Sequence, residues 1–166
     1  RRLRQTGLRE IKGNLMLDHL HYNLARGDPG EFDGQPYRTY NTLPEAVLVN
    51  YRTSTLQLIP QPEKNTVDIV IDPLPNSLNI QNNLRLTQTA CGDWQNLLSV
   101  EVVAENVQAK PLTVVLNGSF SALCGAQYHM LSLHDSSVYT RDLFKHLWLQ
   151  LGGSFHGDVI EASVPP

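Results

Sequence analysis

Residues 112–124 read LTVVLNGSFSALC, and this stretch decides the fold class. The Val, Leu and Phe residues on both sides of its centre are typical of β-strands. At the centre, Asn117 and Gly118 tolerate positive φ and therefore favour the two-residue turn of a hairpin. We predict that residues 112–116 pair with residues 119–123, and that the chain around them forms a β-sheet.

A disulfide between Cys91 and Cys124, the two cysteines of the sequence, is the crosslink we expect between neighbouring strands. Disulfides persist outside a reducing cytosol, so we expect an extracytoplasmic protein that is periplasmic, secreted or exposed on a cell surface. In the alternative interpretation the two cysteines are unrelated thiols. The sequence contains no C-x-x-C pair, which argues against a redox site or a zinc ribbon.

Short β-type runs recur through the middle of the chain, separated by turn residues such as Pro, Asn and Gly. Their spacing, about 8 to 15 residues, is typical of an antiparallel sheet or sandwich. Helical patterns flank this region, so we predict an α+β fold with six to eight short strands. The predicted segments of one domain, residues 1–166, are a basic N-terminal helix at 1–26, a loop at 27–45, the β-rich body at 46–133, a C-terminal amphipathic helix at 136–152, and a strand with a tail at 153–166.

The N-terminal helix is predicted over Leu8–Leu24, which lacks proline and is followed by a glycine-rich segment. A second apolar stripe on this helix repeats every four residues and comprises Met16, Leu20 and Leu24. We expect this stripe to dock a protein partner or a second copy of the chain. Gly13, inside the helix, costs about 1 kcal/mol relative to alanine, so packing must hold that turn.

The C-terminal helix is predicted to start at a serine cap, either Ser136 or Ser137. Two glycines, Gly152 and Gly153, mark its end. Its apolar residues recur at helical spacing and form one broad face, made of Leu143, Phe144, Leu147, Trp148 and Leu151.

Glycines and prolines interrupt any regular period in residues 27–45. We expect Tyr37 and Tyr40 to anchor this loop on the body of the protein. A loop of this length without regular structure is often functional, so it is a candidate binding loop.

Charge is distributed unevenly along the chain. Residues 1–26 carry six basic and two acidic groups, a net +4, whereas the other 140 residues carry seven basic and 14 acidic groups, a net −7. A basic end favours an anionic neighbour or the acidic face of an identical subunit. Nucleic acid is not the expected partner, because the aromatic residues are too few and scattered for a stacking platform. Weak attachment to phosphates would have to use Arg1, Arg2, Arg4 and Arg9.

Histidine and aspartate residues provide the main chemical alternative, a metal site or a histidine-dependent hydrolytic site. This site requires the last helix to return the chain beside the preceding strand, and its candidate residues are His134, Asp135, His156 and Asp158. His19 and His21 are no such pair, because residues two apart on a helix point about 200° away from each other. We expect no metal, since the H-E-x-x-H spacing of a helical metal site is absent, and no nucleotide cofactor, since the G-x-G-x-x-G and Walker motifs are both absent.

Serine catalysis is not expected either, because the sequence has no G-x-S-x-G elbow. The serines considered as nucleophiles are Ser119, Ser121, Ser136 and Ser137, of which the last two follow His134-Asp135 and are better explained as helix caps. The triplet that starts at Asn117 also matches the N-glycosylation pattern, although we prefer the turn interpretation.

Together these features favour a non-enzymatic binding and assembly module, a subunit of a larger cell-surface or secretion apparatus or particle. In layout alone, the chain resembles the soluble head of a pilin-type surface subunit, in which a helix leads into a disulfide-bearing β head. An upstream membrane anchor is compatible with a chain that begins at Arg1 and has no run of 18 apolar residues. The alternatives are a small metal- or histidine-dependent hydrolase and a virion or nucleoprotein subunit with a basic arm.

Overall fold

The computed structural model describes residues 2–20, 22, 27–74, 77–103 and 112–163. Within these ranges the chain forms two α-helices and ten strands. The helices are α1 (Arg2–Gln5) and α2 (Ser136–Gln150). The strands are β1 (Glu10–Ile11), β2 (Leu15–Leu17), β3 (Thr53–Gln61), β4 (Thr66–Asp72), β5 (Leu78–Thr87), β6 (Leu98–Val103), β7 (Leu112–Ser121), β8 (Gln127–Ser132), β9 (Ser154–Phe155) and β10 (Val159–Glu161). The predicted α+β class is confirmed, and an N-terminal helix is present.

The chain divides into two compact units. Unit 1 comprises the described residues up to Thr53 and those from Leu131 onward, and unit 2 comprises those between Ser54 and Met130. That the whole chain is a single domain stays a prediction.

Two three-stranded sheets provide the framework of unit 2, in the orders β4-β3-β8 and β5-β7-β6. β3 pairs with β4 and β6 pairs with β7 in antiparallel fashion, as predicted for the β-rich body. β5 and β7, however, are parallel over their whole lengths. The connection between parallel strands must return the chain to the starting edge, and here it contains β6.

The core of unit 2 follows from the alternation of side chains along its strands. On β3, Ser54, Leu56 and Leu58 are buried, whereas the residues between them are half-buried. Trp94 and Phe120 are also buried and meet edge to face, with ring centroids 5.6 Å apart. Such pairs add to the stabilisation that comes from burying apolar area.

The predicted hairpin at the centre of residues 112–124 is wrong, because β7 continues straight through it. Asn117 accepts a hydrogen bond from Asn83 of β5 (Nδ2 to Oδ1, 3.0 Å). Gly118 has φ +117°, and a Cβ at this position would clash with the carbonyl of Leu97. The glycine therefore permits a close backbone approach inside a sheet, rather than a turn.

The predicted disulfide between Cys91 and Cys124 is confirmed, with Cα atoms 4.8 Å apart. Its position follows from the parallel register of β5 and β7, in which Thr87 lies opposite Ser121. Because parallel neighbours end at the same edge of a sheet, the cysteines that follow these two strands meet there. The crosslink ties the ends of neighbouring strands.

In unit 1, the helix expected over Leu8–Leu24 is wrong. α1 ends at Gln5, and β1 and β2 then pair in parallel with β9 and β10. Gly157 permits this pairing, because a Cβ there would clash with the carbonyl of Gly13. Hydrogen bonds to a segment far away in the sequence therefore prevail over the local apolar spacing that suggested a helix.

The long helix α2 has the predicted extent, but neither serine caps it. The side chain of Asp135 accepts a hydrogen bond from the backbone N–H of Val138 (2.8 Å), which makes Asp135 the N-cap. The hydroxyl of Ser136 donates instead to the carbonyl of Val47. Among the described residues, no helix is long and apolar enough to cross a membrane.

The buried face of α2 differs from the predicted apolar face. Trp148 is buried as expected, but Leu147 and Leu151 are 44% and 37% exposed. Thr140 and Asp142 are buried in their place. Phe144 stacks on Trp148 with centroids 6.1 Å apart, so the aromatic residues of the predicted face pack together while the leucines remain at the surface.

The basic N-terminal segment makes internal contacts at the other end of α2. Arg4 donates from Nε to the carbonyl of Leu151 (3.1 Å), and its guanidinium carbon lies 5.6 Å from the ring centroid of Trp148. A cation is favourable at the C-terminal end of a helix. Arg9 donates to the carbonyl of Arg4 (2.8 Å), and Arg1 lies outside the described residues, so the contacts seen for the basic arm are structural.

Candidate functional site

An open groove of about 570 Å³ lies in the predicted binding loop of unit 1. We call it the loop groove. Its lining combines aromatic rings, carboxylates, an amide and apolar side chains, contributed by Asp28, Pro29, Glu31, Phe32, Tyr40, Asn41, Thr42 and Leu43. A volume of this size lies within the range typical of small-molecule sites.

The groove is held open by a hydrogen-bond network centred on Asp33. The hydroxyl of Tyr40 donates to Oδ2 of Asp33 (2.7 Å). The amide Nδ2 of Asn41 and the backbone N–H of Gln35 both donate to Oδ1, at 2.8 and 2.9 Å. One carboxylate therefore fixes two residues of the lining. Local Asx-type bonds of this kind replace regular secondary structure in loops.

The same network changes the acidity of both partners. The hydrogen bond from Tyr40 is the main cause that holds the pKa of Asp33 below its ordinary value. It also raises the pKa of Tyr40, because the neutral phenol is the form that donates. At neutral pH Asp33 is thus charged and Tyr40 protonated, and the bond between them is intact.

The rim of the groove exposes aromatic rings beside negative charge. Phe32 is 87% and Tyr40 66% exposed. Asp28 and Glu31 add two carboxylates, and the eight lining residues contain no Lys or Arg. The surface thus suits a ligand that stacks on rings and donates hydrogen bonds.

A left-handed turn, residues Asn50, Tyr51 and Arg52, supports the groove from behind. Their φ angles are 49°, 48° and 54°, a conformation that costs non-glycine residues about 1–2 kcal/mol each. The amide of Asn50 donates to the hydroxyl of buried Tyr139 (3.1 Å). The hydroxyl of Thr42, in the groove lining, donates to the carbonyl of Tyr51 (3.3 Å). The strained turn therefore positions one wall of the groove.

The proposed hydrolytic cluster does not assemble around its four candidates. Asp135 caps α2, as described above. His156 contacts Glu10 (Nε2 to Oε1, 3.1 Å), and Asp158 pairs with Lys145 (2.8 Å), which lowers the pKa of Asp158. The described residues contain no group of three or more His, Cys, Asp or Glu side chains that could hold a metal. Among the described residues, His134 is therefore not part of a group that could hold a metal.

A different serine and histidine lie together in unit 1. The hydroxyl of Ser137 lies 3.3 Å from Nε2 of His19 and donates to Glu161. The carboxylate here bonds the serine rather than the far side of the imidazole, so the arrangement lacks the order of a catalytic triad. Ser119 and Ser121 lie on β7 in unit 2, where the hydroxyl of Ser121 donates to the carbonyl of Thr89.

The stripe expected to dock a partner is not a helical stripe. Met16 lies on β2 and is 43% exposed, and Leu20 lies beyond that strand and is 73% exposed. Leu24 lies outside the described residues. Docking of a partner at these residues stays a prediction, but the helix on which it was based is absent from this segment.

Sequence reasoning identified the binding loop but not its organising residue. Tyr40 was expected to anchor the loop on the body of the protein, but its hydroxyl bonds Asp33 within the same loop and its ring is 66% exposed. No pattern in the sequence singles out Asp33, because its partners lie at irregular distances along the chain. The sequence shows only that this aspartate is followed by a glycine and then by two tyrosines, in a loop that contains prolines.

The whole sequence, residues 1–166, matches the sequence model of the D-Ala-D-Ala carboxypeptidase 3 (S13) family. No curated protein matches the chain.

Two solved structures of penicillin binding protein 4 from Haemophilus influenzae are similar in fold. One has a TM-score of 0.63 and 17% identity, and the match covers 99% of this chain and 35% of that one. The other, a complex with a novel β-lactam, has a TM-score of 0.53 and 15% identity, with 99% and 32% covered. The chain thus spans about a third of the length of these structures, and at such low identity the likeness concerns the fold.

These matches correct the functional expectations. The non-enzymatic assembly module is wrong, because the matching family is one of carboxypeptidases. The pilin-like layout and the virion or nucleoprotein subunit are likewise not supported, since both described a structural role. The coarser expectation of an extracytoplasmic protein is confirmed by the disulfide together with the family.

Proposed function

Because the chain belongs to the D-Ala-D-Ala carboxypeptidase 3 (S13) family, we propose that the protein removes the terminal D-alanine from cell-wall peptides that end in D-Ala-D-Ala. The observation that carries this proposal is the match of the family over every residue of the chain. The fold shared with a penicillin binding protein supports it. We further propose the periplasm as the place of action, where the disulfide persists.

The proposed chemistry is acyl transfer to a serine. Penicillin-binding proteins carry the motifs S-x-x-K, S-D-N and K-T-G, whose serine attacks the peptide carbonyl. None of the three occurs in these 166 residues. We therefore place the nucleophile in a part of the enzyme that these residues do not include, and we assign the loop groove to contact with the substrate away from the scissile bond.

A groove remote from the bond that breaks can still contribute to catalysis. Binding energy gained on unreactive parts of a substrate aligns the reacting carbonyl with the nucleophile. The fixed positions of Tyr40 and Asn41 around Asp33 suit this role, because a preformed surface loses little entropy on binding.

Release of D-alanine from a peptide ending in D-Ala-D-Ala, measured with full-length protein, tests the proposal. The matched control is the same peptide ending in L-Ala-L-Ala, which should release nothing. A β-lactam should acylate the protein and abolish the release. Failure of both hydrolysis and acylation by a folded preparation would contradict the proposed function.

A further inference from the structure

We propose that the loop groove binds a sugar ring of the cell-wall glycan, with the ring stacked on Phe32 and Tyr40 and its hydroxyls donating to Asp28 and Glu31. The proposal deepens the proposed function and rests on it for the source of the sugar. It concerns the part of the substrate that is not cleaved.

The aromatic rings carry the first step of the argument. Phe32, at 87% exposed, and Tyr40, at 66%, both line the groove, and the face of an aromatic ring carries a negative quadrupole. The C–H groups on one face of a pyranose ring are weakly positive and apolar, so they match that surface in both shape and charge. Stacking would cover apolar area that is otherwise in water.

The carboxylates carry the second step. Hydrogen bonds from hydroxyls to ionised oxygens are stronger than those between neutral groups, and Asp28 and Glu31 provide such acceptors at the groove. An amine would also be attracted to them. In an open groove, however, an ion pair with an amine is screened by salt and contributes little, whereas stacking on the rings does not depend on salt. The sugar is therefore the ligand that uses the whole lining.

Preorganisation carries the third step. Asp33 holds the phenol of Tyr40 at 2.7 Å and the amide of Asn41 at 2.8 Å, so the ring of Tyr40 is fixed before the ligand arrives. Thr42 is held in turn by the carbonyl of Tyr51. A groove whose lining is already fixed by these hydrogen bonds loses little conformational entropy when a ligand binds.

The test is a titration of full-length protein with chitotetraose, an uncharged N-acetylglucosamine oligomer, in which binding is measured by ligand-observed NMR. We expect Phe32→Ala to weaken binding about tenfold. The matched control is Tyr128→Ala, which removes another exposed aromatic ring, 58% exposed, in unit 2, and should leave binding unchanged. Binding of the uncharged probe should also be independent of salt.

Two results would overturn the inference. One is the absence of chitotetraose binding by a preparation that still releases D-alanine, an outcome that leaves the proposed function intact. The other is displacement of the probe by 1,5-diaminopentane in a salt-dependent manner, which would identify the groove as an amine site. Sugar binding without D-alanine release would support the groove and contradict the carboxypeptidase proposal instead.

Discussion

The loop groove and the sheets of unit 2 are held together by different kinds of interaction. In the sheets, buried side chains such as Leu56 and Phe120 and continuous backbone pairing stabilise the fold. In the groove, exposed side chains are fixed by hydrogen bonds to Asp33 and by the strained turn at residues 50–52. The groove is therefore ordered by a few polar bonds whose net contribution to stability is small, so its lining can change without loss of the fold.

Phe120→Ala should produce the largest effect. Its ring is 1% exposed and packs on Trp94, so truncation leaves a cavity and should lower the free energy of unfolding by about 3–5 kcal/mol. Denaturant unfolding followed by tryptophan fluorescence measures the change. Leu123→Ala, at a site 67% exposed, is the control, and an equal loss in both variants would contradict the core assignment.

Replacing both Cys91 and Cys124 by serine should rank second. The crosslink spans 33 positions, and its removal should destabilise the protein by about 3–4 kcal/mol in the chain-entropy estimate. Denaturant unfolding with and without reductant checks this. Reductant should lower the free energy of unfolding of the wild type to that of the variant and leave the variant unchanged. A wild type whose stability does not respond to reductant would contradict a stabilising role for the disulfide.

Tyr51→Gly should have a smaller effect of the opposite sign. Glycine adopts positive φ without the cost paid by other residues, so the free energy of unfolding should rise by about 1 kcal/mol. Tyr51→Ala is the matched control, since it removes the same exposed side chain but keeps the Cβ. Equal stabilities of the two variants would show that the turn stores no strain.

The smallest effect expected is on the titration of Asp33. Its folded pKa lies below the ordinary value of 3.8, so the hydrogen bond from Tyr40 contributes above the unfolded pKa and is lost as pH falls through the folded pKa. NMR titration of the carboxyl measures this directly. Tyr40→Phe should move the pKa of Asp33 toward 3.8, and Tyr37→Phe should not. An unchanged pKa of Asp33 in Tyr40→Phe would contradict the view that the hydrogen bond from Tyr40 lowers this pKa.

Local signals in the sequence predicted those parts of the fold that depend on neighbouring residues. The extent of α2 is of this kind, whereas the disulfide was predicted because the sequence contains one pair of cysteines. The helix over Leu8–Leu24 failed because the partner strands β9 and β10 lie near the other end of the chain. The hairpin prediction failed because Gly118 allows the backbone of Leu97 to approach closely. The sequence alone does not distinguish a glycine required for a close contact from one required for a turn.

The candidate site was predicted only as a region. The loop at 27–45 was identified from its glycines and prolines, and Tyr40 was named in it. The role of Asp33 depends on three partners brought together by irregular backbone, and no periodicity reports such a geometry. The expectation of a non-enzymatic protein failed for a different reason, because the sequence motifs of the proposed acyl transfer do not occur in these 166 residues.

The pairing of β1 with β9 and of β2 with β10 has a consequence for biosynthesis. Unit 1 combines two segments of the sequence, and unit 2 is an insertion between them. A ribosome delivers all the strands and both cysteines of the insertion before it delivers the last strands of its host. The strands of unit 2 can therefore begin to pair before β9 and β10 are available to unit 1, whereas the disulfide forms only after the chain has left the reducing cytosol.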